Sequence, residues 1–222
     1  MKIDIEKRIL EKNIMVAHTI RERLESSHTF AINLVSSPGS GKTSLVERII
    51  DYLHGKVTLS VIVGDVQTDI DASRIRRHDV PALQIETEGG CHLNAAQIEG
   101  ALGKIPSSRL LIIENVGNLV CPANYDLGED AKVVIVSPTE GEDKPLKYPI
   151  MFANSQAIII NKIDLVPYLD VSIDEIEKNA RSINPALVVF KTSCKTGEGI
   201  EEFCEWLCEN VKAKALNKAH GS

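Results

Sequence analysis

A chain of 222 residues, 43% hydrophobic and 25% charged, can carry one α/β domain with a sizeable core. Its 25 basic and 31 acidic residues leave a net charge of −6 with no basic run, which argues against non-specific nucleic-acid binding. No apolar stretch approaches the roughly 20 residues of a membrane span, charges interrupt the N-terminus too early for a signal peptide, and five unevenly spaced cysteines do not make a disulfide framework.

Residues 3–27 read as one amphipathic helix, with Leu10, Ile14, Ala17, Ile20 and Leu24 at spacings of three and four and His18 as a solvated or packed residue. It forms an N-terminal unit, 1–28, packed on the domain that follows. The apolar run 30–35 reads as a buried strand. Next comes Ser36-Ser37-Pro38-Gly39-Ser40-Gly41-Lys42-Thr43-Ser44, and then apolar residues at helical spacing. Strand, glycine-containing loop, Gly-Lys-Thr and helix are the context of a phosphate-binding loop. Glycines let successive backbone N–H groups turn toward a phosphate chain, and the helix N-terminus adds partial positive charge. Lys42 would reach the β- and γ-phosphates, and the Thr43 hydroxyl would ligate Mg²⁺. One departure is visible: Ser36 stands where the pattern has its first glycine.

Alternation continues with a strand at 57–63, a short helix at 70–78, a strand at 82–85 and a helix at about 93–102. Strands follow at 110–113, 132–136 and 157–160, then a helix at 173–183, a strand at 187–190 and a helix at 199–214. Apolar strands separated by helices predict a three-layer α/β fold with a mostly parallel central sheet. We expect one nucleotide-binding domain over 29–214 and a tail over 215–222. In such sheets ligands gather at the carboxyl ends of the strands. Those ends carry the phosphate loop, Gly64-Asp65-Val66-Gln67-Thr68-Asp69, Glu114-Asn115-Val116-Gly117, Asn161-Lys162-Ile163-Asp164 and Thr192-Ser193-Cys194-Lys195.

Asn161-Lys162-Ile163-Asp164 fits guanine recognition. A carboxylate accepts N1–H and the exocyclic amine of guanine, whereas adenine would leave it unpaired at high cost. The Lys162 stem can cover the ring and Asn161 can tie loops together. Ser193, with the backbone of Cys194 and Lys195, would support the base.

With these motifs in place, residues 30–208 resemble the P-loop GTPases. The runs Glu114-Asn115-Val116-Gly117 with Asn118 to Pro122, Gly64-Asp65, and Gly89-Gly90-Cys91-His92 are similar to those of the HypB family of nickel-incorporation GTPases. That family is related to the urease accessory GTPases and dimerises around nucleotide. The resemblance implies GTP hydrolysis, with phosphates on Gly39, Ser40, Gly41, Lys42, Thr43 and Ser44. It implies Mg²⁺ on Thr43 and Asp65, with Asp65 orienting water and Glu114 supporting the cation through water. It also implies a Ni²⁺ or Zn²⁺ site on Cys91, His92 and Cys121, although an adjacent Cys-His pair and one distant Cys would not establish a site by spacing alone. A homodimer favoured by GTP and metal, a HypA-type nickel-binding maturation factor, a hydrogenase large-subunit precursor and a cytoplasmic location follow from the same resemblance. The alternative is a GTP-dependent switch or scaffold with a structural zinc site. A P-loop small-molecule kinase is disfavoured by Asn161 to Asp164. Cys204 and Cys208 fall in an apolar stripe of the last helix and read as core rather than ligands.

Overall fold

The computed structural model describes residues 2–65, 70–87 and 89–216. Val66, Gln67, Thr68 and Asp69 of the run after the second strand, and residues 217–222 of the expected tail, lie outside the described residues. Helices α1 (Lys2–Ser26), α2 (Lys42–Leu53), α3 (Ile70–Arg76) and α4 (Ala95–Leu102) alternate with strands β1 (Phe30–Ser36), β2 (Leu59–Asp65), β3 (Ala82–Glu86) and β4 (Leu110–Gly117). The second half carries β5 (Ala131–Val136), α5 (Lys144–Lys147), α6 (Pro149–Ala153), β6 (Ala157–Ile160), α7 (Ile173–Ile183), β7 (Val188–Lys191) and α8 (Ile200–Leu216).

The strands form one sheet in the order β3-β2-β4-β1-β5-β6-β7, and each neighbouring pair runs parallel. The expectation of a three-layer fold holds, with the sheet fully rather than mostly parallel among the described residues. Alternation along β1 divides the core. Ile32 and Leu34 face the cluster under α2, α3 and α8. Ala31 and Val35 face the opposite side, where α1 and α4 form one cluster and α6 and α7 another. Cys204 and Cys208 belong to the first cluster and are buried, as the apolar stripe requires.

Three local readings are corrected. The α1 stripe does not include Ile14, which is 57% exposed; its neighbour Asn13 is buried instead and hydrogen-bonds across to other segments. Strands β2 and β4 run past their expected ends, so Gly64, Asp65 and Glu114 to Gly117 lie within strands rather than in loops after them. The cause is continued parallel pairing: Asp65 pairs with Glu86, and Gly117 with Ser36 after a register shift. Helices α5 and α6 have no counterpart in the predicted elements. Pro145 and Pro149 open these short helices and interrupt the apolar period on which sequence reading depends. None of the described helices is long and apolar enough to cross a membrane.

Candidate functional site

The phosphate loop leaves β1 and enters α2 at the carboxyl edge of the sheet. Gly39 and Gly41 take φ of +77° and +99°, which side-chain-bearing residues rarely adopt. A Cβ at Gly41 would also sit 2.5 Å from Asn161 Nδ2. The first turn of α2 has no acidic side chain, so its N–H groups and dipole remain disposed toward an anion. Ser36 has a role that a glycine could not fill: its hydroxyl accepts a hydrogen bond from Lys42 Nζ at 2.8 Å. Burial lowers the Lys42 pKa, opposed by the nearby carboxylates of Glu114, Asp71 and Glu140.

Thr43, buried, donates to Glu114 Oε1 at 2.7 Å. The other oxygen of Glu114 is buried without a hydrogen-bond partner. Burial pushes this carboxyl up to about 7, against the pull of the Thr43 hydrogen bond and the Lys42 charge. An orphaned carboxylate oxygen beside a threonine hydroxyl is a donor set of the kind a hard, oxygen-seeking divalent cation takes. Asp65, at the end of β2, lines the same cleft of about 550 Å³ with Lys42, Thr43 and Ser44.

Arg74 of α3 also lines this cleft, and sequence reasoning missed it. It pairs with Glu47 and donates to Ser44 Oγ at 3.3 Å. Charged residues on a short surface helix look alike in sequence, so no local pattern marks this one out.

The base-recognition motif closes onto the phosphate loop. Asn161 Nδ2 donates to the Ser40 carbonyl at 2.9 Å. Asn161 Oδ1 accepts from Thr192 Oγ1, Cys194 N and Cys194 Sγ at 3.2, 3.3 and 3.3 Å. Cys194 therefore contributes its thiol as well as its backbone, beyond the backbone role expected of it. Lys162, held at φ +64°, donates to the Gly39 carbonyl at 2.6 Å, which lays its stem along the loop. Ser193 donates to Asp164 Oδ1 at 2.6 Å and orients the carboxylate. Arg48 of α2 fixes the far loop by donating to the Cys194 and Lys195 carbonyls.

Cys91, His92 and Cys121 lie 30 residues apart in sequence at the extremes, yet their donor atoms fall within 4.8 Å of one another. Cys91 is exposed and the other two are half-buried. Cys121 opens a 3-10 turn, Cys121–Asn124, that follows β4. The His92 ring packs on Tyr125 with centroids 4.1 Å apart, and Asn118 Nδ2 donates to the Cys91 carbonyl at 3.4 Å. The hydrogen bond with the Cys121 thiol raises the Cys91 pKa, while burial lowers that of His92 and so favours the neutral imidazole. Two thiols and a neutral imidazole are soft and borderline donors suited to Zn²⁺ or Ni²⁺, with at least one coordination position left over.

A parallel sheet with a phosphate loop and a guanine-type motif at one edge defines a P-loop nucleotide-binding domain, here carrying a thiol–imidazole cluster as well. The family model described as CobW/HypB/UreG, nucleotide-binding domain, matches residues 30–191. The hydrogenase maturation factor HypB of Azotobacter vinelandii is 51% identical over 205 residues, covering 91% of this chain and 68% of that protein. The hydrogenase/urease maturation factor HypB of Helicobacter pylori is 40% identical over 216 residues, covering 95% of this chain and 88% of that protein. A crystal structure of HypB from Helicobacter pylori in complex with nickel superposes with a TM-score of 0.86 at 39% identity, covering 91% of this chain and 96% of that one. The chain belongs to the HypB family of hydrogenase maturation factors.

Proposed function

We propose that this protein is a GTP-hydrolysing metallochaperone that delivers nickel during maturation of [NiFe]-hydrogenase. The observation that carries the reading is the placement of two sites along one stretch of chain: Glu114, within β4, is bonded to the phosphate-loop Thr43, and after β4 ends at Gly117 residues 118–120 lead into the turn that bears Cys121. A γ-phosphate sensor and a metal ligand thus stand seven positions apart in the chain.

GTP lies with its phosphates on Gly39 to Ser44 and its guanine against Asp164, flanked by Asn161, Lys162, Ser193, Cys194 and Lys195. Lys42 neutralises the β- and γ-phosphates. Mg²⁺ fits beside the orphaned Glu114 oxygen; Thr43 and Asp65 would hold it, and it would neutralise developing phosphate charge. Asp65 orients the attacking water. Nickel is cargo, held by Cys91, His92 and Cys121. The exposure of Cys91 supports a site open to exchange and weighs against a closed structural zinc site.

GTP favours a homodimer in which metal ligands of both copies come together, and hydrolysis loosens it. Nickel arrives from a HypA-type maturation factor and passes to the hydrogenase large-subunit precursor. The test titrates Ni²⁺ and Zn²⁺ into protein carrying GDP or a non-hydrolysable GTP analogue while solution mass is measured. Linkage requires GTP to change metal affinity by the same factor by which metal changes GTP affinity, typically about 5–150-fold. Equal metal affinities and one unchanged mass in both states would refute the coupled reading.

A further inference from the structure

On the side of the sheet that faces α1 and α6, three neighbouring strands each carry a buried polar residue among apolar ones. On β4, Leu111 and Ile113 alternate into the α1–α4 cluster, and the next position facing that way is Asn115. On β1, Asn33 stands between the core residues Ala31 and Val35. On β5, Lys132 precedes Val134 and Val136 on the same face, and it is the register partner of Asn33. These strands are neighbours in the sheet, so three buried polar side chains lie side by side. Unpaired, each would cost stability, and an apolar residue in its place would avoid that cost.

All three are paired, and the pairing has a direction. Asn115 Oδ1 accepts from the backbone N–H of Leu93, the residue after His92, at 3.1 Å. Asn115 Nδ2 donates to Asn33 Oδ1 at 3.2 Å, and Asn33 Nδ2 donates to Glu129 Oε1 at 3.0 Å. Glu129 lies 3.8 Å from Lys132 Nζ, and both side chains are over nine-tenths buried. Lys132 Nζ then donates to the carbonyls of Pro122, Ala123 and Tyr125 at 3.1, 3.3 and 3.1 Å, gathering the turn that begins at Cys121. From outside the sheet Asn13 of α1 bridges the same two segments. Its Nδ2 donates to the Asp126 carbonyl at 2.7 Å, and its Oδ1 accepts from Ala95 N at 2.8 Å.

We propose that Asn115, Asn33, Glu129 and Lys132, with Asn13 across the outer side, are positioning residues that hold the Cys91–His92 segment and the Cys121 turn at metal-binding separation. The proposal rests on the reading of Cys91, His92 and Cys121 as metal ligands. The two segments share no sheet pairing: one follows β3 and the other follows β4, and near the ligands they meet through the long Asn118–Cys91 hydrogen bond and the His92–Tyr125 ring contact. The network replaces that missing pairing with side-chain hydrogen bonds to backbone next to each ligand. Outer partners of this kind set ligand orientation, and their loss typically weakens metal binding about 10–100-fold.

The experiment compares wild type, Lys132→Met/Glu129→Gln and Asn13→Leu as full-length proteins. The double substitution removes the lysine's carbonyl contacts without leaving a lone buried charge; Asn13→Leu sits on a helix and tests the outer bridge if the double variant does not fold. Ni²⁺ alone is titrated, following the thiolate-to-nickel charge-transfer band, and GDP affinity is measured in parallel. The expected result is nickel affinity lower by about 10–100-fold in the double variant, lower by less in Asn13→Leu, a changed charge-transfer band, and GDP affinity unchanged. Wild-type nickel affinity and spectrum in the folded variants would overturn the proposal. So would parallel losses of nickel and GDP affinity, which mark general loosening of the core. A wild type with no thiolate–nickel band would refute the metal assignment itself, before any variant is considered.

Discussion

The nucleotide cleft and the thiol cluster share one edge of one sheet, but they are built differently. Around the nucleotide, side chains lock to one another: Asn161 alone joins the phosphate loop to the loop after β7. Around the thiols, the Cys91, His92 and Cys121 side chains are comparatively bare, with Cys91 exposed, and order comes from bonds to the neighbouring backbone. The contrast follows from what each site handles. A nucleotide is recognised by many directional hydrogen bonds, so prearrangement raises both affinity and discrimination. A metal that must leave again is better served by a held backbone and an open ligand face.

The sharpest way to break the nucleotide half is at the base. Asp164→Asn removes an acceptor for two guanine N–H groups, each such charge-assisted bond being worth about 1.5–3 kcal/mol. GTP affinity should fall roughly 10²–10⁴-fold, with binding of xanthosine triphosphate gained because the amide can donate to its 2-carbonyl. Retained preference for GTP in competitive binding would remove Asp164 from this role.

Next in size, Lys42→Ala should slow phosphate release in a single-turnover GTPase assay by at least about 10²–10³-fold, the usual loss for one charge-stabilising donor. Nickel binding by the nucleotide-free protein should stay near wild type, since Lys42 and Cys91 belong to separate sites. Equal loss of both would mean that the two regions are one composite site.

A smaller effect concerns pH. The Glu114 carboxyl rises from its ordinary 4.5 to about 7 because it is buried. The folded, ligand-free protein therefore holds this proton more tightly than the unfolded chain. The associated stability is present at low pH and is lost as pH climbs through about 4.5 to 7, by at most roughly 3 kcal/mol. Glu114→Gln should melt higher than wild type at about pH 8, with the advantage shrinking toward about pH 5. Thermal melts over that window check the sign. Binding of Mg²⁺–GTP near pH 6 should release a proton, detectable as buffer-dependent heat in calorimetry.

The smallest effect sharpens the comparison. Gly41→Ala meets both a positive φ and a Cβ clash with Asn161 Nδ2. A cost of about 1–3 kcal/mol is expected, read as weaker GDP binding of the order of tenfold or more, with Ni²⁺ affinity unaltered. An equal loss at the thiol cluster would show that the two regions are less separable than their hydrogen bonds indicate.

Much of the fold was legible because apolar strands and amphipathic helices announce themselves by period: α7 was placed at its observed bounds and β6 likewise. Strand ends were not, since pairing with a neighbour, rather than local apolarity, carries β4 on to Gly117. Nor was the choice of Asn13 over Ile14 for the inner face of α1, because a buried amide is justified only by partners far away in sequence.

By itself the sequence determined the phosphate loop, the guanine motif and the order of strands and helices between them, apart from α5 and α6. Each of these is a contiguous run whose chemistry depends on its own backbone turn and the next few side chains. Tertiary structure alone decided the rest. It brought Arg74 to the phosphate cleft and closed Cys121 onto Cys91 and His92. It also set Asn33, Asn115 and Lys132 side by side on adjacent strands, where each can satisfy a buried group that it could not have satisfied along the chain.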